Sequence, residues 1–140
     1  MIQTVTLSLK GQQTYPGQDP ESIELVTEGT LEDIADGWKL CYEESELTGL
    51  AGVSTTFQIQ DKTVTLIRNG KLNSQMVFEE GIPHDSLYEM EFGALMLTVC
   101  ATEVSADLSH AGGTIDLKYT IEIEQNSAGA IDYHLDIKAK

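Results

Sequence analysis

Two stretches near the C-terminus decide the fold: Ile115-Asp-Leu-Lys-Tyr-Thr-Ile-Glu-Ile-Glu124 and Ile131-Asp-Tyr-His-Leu-Asp-Ile-Lys138. In the first, Ile115, Leu117, Tyr119, Ile121 and Ile123 alternate with Asp116, Lys118, Thr120, Glu122 and Glu124. In the second, Ile131, Tyr133, Leu135 and Ile137 alternate with Asp132, His134, Asp136 and Lys138. A period of two is the signature of a strand with one apolar and one solvated face. The same alternation runs back through most of the 140 residues.

Val5, Leu7 and Leu9 share one face of a first strand, and a polar loop from Gly11 to Pro20 is expected after it. A second segment opens with Ile23 and Leu25 and runs to about Ile34, with a bulge expected near Gly29. Asp36-Gly37 reads as a tight turn. Trp38, Leu40, Tyr42 and Glu44 then face one way, and after a Gly49–Gly52 loop so do Val53, Thr55, Phe57 and Ile59. Val64, Leu66 and Arg68 follow, ended by the hairpin signal Asn69-Gly70. Met76 and Phe78 mark the next strand, which Gly81 to Asp85 ends.

Tyr88, Met90 and Phe92 continue the alternation, and its parity changes after Gly93 to Leu95, Leu97, Val99 and Ala101, so Gly93 reads as a bulge or sharp bend. Ser105 to His110 suggests a short helical turn, and Gly112-Gly113 a turn.

Nine or ten such strands joined by short loops suit an antiparallel meander, because parallel pairing needs longer crossovers. Closure into an up-and-down barrel of about 8–10 strands covers every apolar face and removes the edges. A two-sheet sandwich is the alternative. One all-β domain spanning 1–140 is expected from the length.

Twenty-three acidic against eight basic residues give a net charge of −15, spread along the chain. Such a surface repels phosphate backbones and anionic lipid, which argues against nucleic-acid and membrane partners. No apolar run approaches the roughly 20 residues of a membrane helix. Cys41 and Cys100 form no Cys-x-x-Cys motif, and the amino terminus lacks the pattern of a signal peptide, so a cytoplasmic location is expected.

Tyr42-Glu43-Glu44, Arg68-Asn69-Gly70, Met76-Val77-Phe78, the run from Tyr88 through Met90 to Phe92-Gly93, and Gly112-Gly113 with Tyr119 together resemble the YwiB-like proteins of Gram-positive bacteria. The chain departs from that pattern at Met90, where a threonine is expected. The resemblance implies a calycin-like β-barrel and a bacterial cytosolic setting. It supplies no activity and no site residues.

Chemistry therefore rests on the residues themselves. Glu44 and Arg68 fall on apolar faces, and burying either unpaired would cost several kcal/mol. Tyr42, Tyr88, Tyr119 and Tyr133 also read inward and offer hydroxyls as partners. These six are the candidate ligand-binding residues of a barrel interior, with Arg68 as anchor for a carboxylate or phosphate. The plainer reading is a structural ion pair closing one barrel end.

His84 and His110 are read as loop residues and His134 as outward, with no metal-ligand spacing among them; no metal and no cofactor is expected. Cys41 and Cys100 read outward with nothing basic beside them. The outward positions of the eighth strand, Ala94, Met96, Thr98 and Cys100, are less polar than other outward faces, which suits a covering segment or a homodimer contact. Three functions are ranked: a small-molecule ligand in the lumen; a structural or interaction module meeting a protein partner without catalysis; and an enzyme, last, for want of any catalytic motif.

Overall fold

The computed structural model describes residues 2–14, 17–35, 37–44, 52–60, 63–90, 93–123 and 126–139. Ten strands follow one another: β1 (Ile2–Thr14), β2 (Glu21–Ile34), β3 (Gly37–Glu43), β4 (Val53–Gln60), β5 (Thr63–Gly70), β6 (Asn73–Glu79), β7 (Pro83–Met90), β8 (Gly93–Ser109), β9 (Gly112–Ile123) and β10 (Asn126–Ala139). Each pairs antiparallel with its neighbours in sequence, and β1 pairs with β10 to close the barrel. Closure satisfies both sides of the first and last strands, which an open sheet would leave as edges. The up-and-down barrel is realised and the sandwich is not.

Alternation places the core as the sequence implies. Val5, Leu7, Leu31, Leu40, Phe57, Leu66, Phe78, Ile115, Leu117 and Leu135 are all buried. Odd-numbered strands end, and even-numbered strands begin, at the same end of the barrel, so each strand contributes residues to both ends. At one end Phe78 packs on Tyr119 with ring centroids 4.5 Å apart. Below it Trp38 meets His110 edge-on at 5.2 Å, and Gln3 Nε2 donates to the His110 carbonyl at 2.9 Å. This end is filled. Outward positions of β9 and β10 carry Asp116, Lys118, Asp132 and His134, the reverse of a membrane barrel, whose outer band is apolar. Among the described residues no helix is long and apolar enough to cross a membrane.

Several local expectations are corrected. β1 continues through Gly11 to Thr14 because it pairs on both sides, with β10 and with β2; the loop is therefore shorter. Gly29 is in regular register with Val5 and Tyr42. It is there for space, since a Cβ would lie 2.5 Å from the Cys41 carbonyl and 3.0 Å from Leu7. The bulges fall instead between Ala101 and Glu103 and between Ser127 and Gly129.

Ser105–Ser109 is strand, not helix, held by register with Gly112 to Asp116. The β5–β6 bend comes at Lys71-Leu72, one step after Asn69-Gly70; Gly70 still pairs with Val53. Asn73 ties that bend by accepting from Gly70 N at 3.3 Å and donating to its carbonyl at 3.2 Å. His110-Ala111 makes the β8–β9 turn, and Gly112-Gly113 opens β9. At Gly113 φ is +146° and a Cβ would fall 1.9 Å from the Asp107 carbonyl, so only glycine fits. Gly93 opens β8 opposite Met90, making the parity change a hairpin between two strands. His84 lies within β7, not in a loop. Asp36, Ser45–Ala51, Lys62, Phe92 and Glu124 lie outside the described residues.

Candidate functional site

The other end of the barrel has a different lining. Cross-strand register brings one residue from each of β3 to β8 to a common level: Tyr42 opposite Thr55, Thr55 opposite Arg68, Arg68 opposite Ser74, Ser74 opposite Tyr88, and Tyr88 opposite Leu95. One level towards the packed end the corresponding residues are Leu40, Phe57, Leu66 and Met76. A polar row thus sits directly on an apolar one, with no change in the alternation that builds them.

Just beyond that row Glu44 is buried and accepts from Thr55 Oγ1 at 2.7 Å. Tyr42 also hydrogen-bonds to Glu44; burial first, and then the Glu44 carboxylate, push its hydroxyl well above the ordinary tyrosine range. Tyr42 therefore remains a donor at any physiological pH. A buried carboxylate served by two side-chain donors is a stable arrangement, since each bond offsets part of its desolvation.

Arg68 points inward, as its parity requires. Burial works against its charge, but Tyr133, Tyr119, Tyr42 and Glu44 outweigh that and hold the guanidinium above its ordinary value. It stays charged. Among the described residues its buried Nε has no hydrogen-bond partner, and neither has the buried hydroxyl of Ser74 on the neighbouring strand.

Two cavities meet at Arg68. One of about 250 Å³ runs along Met76, Leu97, Ile121, Ile123 and Ile131, with Arg68, Tyr88, Tyr119 and Tyr133 as its polar lining beside Gln13. The second, of about 210 Å³, adds Tyr42 and Glu44 and shares Arg68, Tyr88, Tyr133 and Gln13 with the first. All six sequence-derived candidates are brought together around this space. Tyr119 sits at its floor, between Phe78 and Tyr133, whose ring is 6.3 Å away. Gly11 makes room for Tyr133: a Cβ there would stand 3.0 Å from the ring.

Sequence reasoning did not assign Thr55 or Ser74 to the site. Thr55 was legible as an inward position, and its value lies in the Glu44 bond, which needs the β3–β4 register. Ser74 shares parity with Met76 and Phe78, so extending that strand backwards by two residues would have found it.

Outside the lumen, His84 Nε2 lies 3.0 Å from Glu79 Oε1, and His134 sits between Asp116 at 2.5 Å and Asp136 at 3.1 Å. Among the described residues no group of three or more His, Cys, Asp or Glu is disposed to hold a metal ion. Cys41 and Cys100 are free and half-buried, with Cys41 Sγ 3.4 Å from Thr56 Oγ1. On the outer face of β7 and β8, Leu87 and Met96 are paired and both exposed.

Comparison with known proteins agrees with this fold. The barrel is similar to the crystal structure of ywiB protein from Bacillus subtilis, with a TM-score of 0.88 and 22% sequence identity over 99% of this chain and 93% of that one. At that identity the likeness speaks to fold alone. No curated protein matches the chain. A family model described as a domain of unknown function, DUF1934, matches residues 7–137, and the chain belongs to that family.

Proposed function

We propose that the protein binds a small organic anion in the lumen, its charged group on Arg68 and its apolar body along Leu97, Ile121, Ile123 and Ile131. The observation that carries this is the inward, charged Arg68 at the junction of two cavities, its buried Nε without a hydrogen-bond partner among the described residues. A guanidinium recognises a carboxylate or phosphate through two parallel hydrogen bonds, and a water-poor site strengthens both. The tyrosines supply further donors beside it, and the aliphatic wall favours a ligand with an apolar body. A calycin-like binding role in a bacterial cytoplasm is consistent with the two free thiols.

The second reading, a structural or interaction module meeting a protein partner or a second copy, draws on the exposed Leu87–Met96 pair. Native mass spectrometry of protein purified without denaturation separates the two. A small-molecule adduct that is absent from an Arg68→Met variant is the expected result. A clean monomer mass that gains nothing on addition of octanoate or phenyl phosphate overturns the binding reading, and a dimer or a protein complex supports the second.

A further inference from the structure

Nine of the ten strand-to-strand seams are zipped for most of their length; the β6–β7 seam is not. Only Asn73↔Glu89 and Ser74↔Tyr88 are in ladder register, followed at the far end by the lone bridge Glu79↔Ile82. Gln75 to Glu79 pair with β5 and, apart from that bridge, not with β7. Pro83 to Leu87 pair with β8.

Side chains hold the gap instead. Ser86 is buried and its hydroxyl donates to the Gln75 carbonyl, and His84 meets Glu79. Pro83, which has no N–H to give, sits at the end of the strand where a ladder bond is missing. Directly inside the gap stand Met76 of β6, Tyr88 of β7 and Leu97 of β8, all three lining the larger cavity.

From this geometry we infer that the β6–β7 seam is a lateral entrance to the lumen. Parting the stretch between the Ser74↔Tyr88 pair and the Glu79↔Ile82 bridge breaks two side-chain contacts, where the same length of any other seam would have to break a backbone ladder, so this wall opens first. It opens onto Met76 and Leu97, below the Arg68 row, where the apolar part of a ligand would lie. As an entry path the inference rests on the lumen-binding reading, whereas the opening itself can be measured without a ligand.

Backbone hydrogen exchange tests the opening. Those amides of Gln75–Phe78 and Asp85–Leu87 that point into the seam, and not to β5 or β8, are expected to exchange at least tenfold faster than those of Thr56–Gln58 in the fully paired β4. Continuing the β6–β7 register places exposed Gln75 opposite exposed Leu87. A Gln75→Cys/Leu87→Cys disulfide, made with Cys41→Ser and Cys100→Ser, should bring seam exchange to the β4 level. It should also slow association of the anionic probe 8-anilinonaphthalene-1-sulfonate at least tenfold relative to the reduced form, with Kd changed less than twofold. Val77→Cys/Asp85→Cys serves the same purpose if the first pair disturbs folding.

Seam amides as protected as β4, or a probe association rate indifferent to the disulfide, overturn the entrance. Failure of the probe to bind either form tells against lumen binding instead, and fast, disulfide-sensitive exchange would still establish the opening.

Discussion

The two ends of this barrel are made by the same strands with the same alternation, yet only one of them is solid. At the Trp38 end the inward positions hold Phe57, Phe78, Leu40, Leu66 and Ile115, whose shapes fill the lumen. At the Arg68 end they hold Tyr42, Thr55, Arg68, Ser74 and Tyr88. Polar side chains must satisfy directional bonds before they can fill volume, so cavities remain between them. Binary pattern fixes the wall, while the chemistry of the inward residues decides whether the space within is core or pocket.

If the division is real, damage to each end should differ in kind. Phe78→Ala empties the middle of the packed end and removes the ring against Tyr119. A loss of about 3–5 kcal/mol in unfolding free energy is expected by denaturant titration. A loss below ~1 kcal/mol would mean that this end is not tightly packed.

Thr55→Val keeps the volume and removes the donor to Glu44. The expected loss is smaller, about 1–2 kcal/mol, because Tyr42 remains as partner. A double-mutant cycle with Glu44→Met, which removes the acceptor, should show the two effects to be non-additive; strict additivity would show that the bond contributes nothing.

How much of this could be read from residues alone is itself divided between the ends. Closure, strand number and the inward set followed from alternation, as Phe57, Leu66 and Leu117 illustrate. Glu44 and Arg68 were legible because a charged residue on an apolar parity is conspicuous. The rows were not, because Thr55, Arg68 and Ser74 become neighbours only through a register that no local pattern prints. Glycines misled for a related reason. Gly29 interrupts the apolar parity as a bulge would, but its role is to admit the Cys41 carbonyl and Leu7, a contact made by other strands. Ser105–Ser109 showed no clean alternation and suggested a turn, whereas pairing with β9 makes it strand.

The outer surface offers the mildest test, since charges there should matter little to either end. The hydrogen bond that His134 donates to Asp116 raises its pKa above the ordinary 6.5; desolvation opposes this, and the charges of Asp116 and Asp136 add to the rise. A raised folded-state pKa adds stability that is fully present below about pH 6.5, the unfolded value, and is lost as pH rises through the folded one. An NMR titration should therefore find His134 protonated above pH 6.5, and Asp116→Asn should bring its midpoint down. A midpoint at or below 6.5 in the unmodified protein contradicts the contact.

The central claim, that the Arg68 end is a pocket and the Trp38 end a core, is tested most directly by methyl NMR during titration with octanoate. Saturable shifts are expected at Leu97, Ile121, Ile123 and Ile131, none at Leu40 or Leu66, and at least a tenfold loss of affinity in a folded Arg68→Met variant. Equal shifts at both ends, or an affinity unchanged by Arg68→Met, would contradict it.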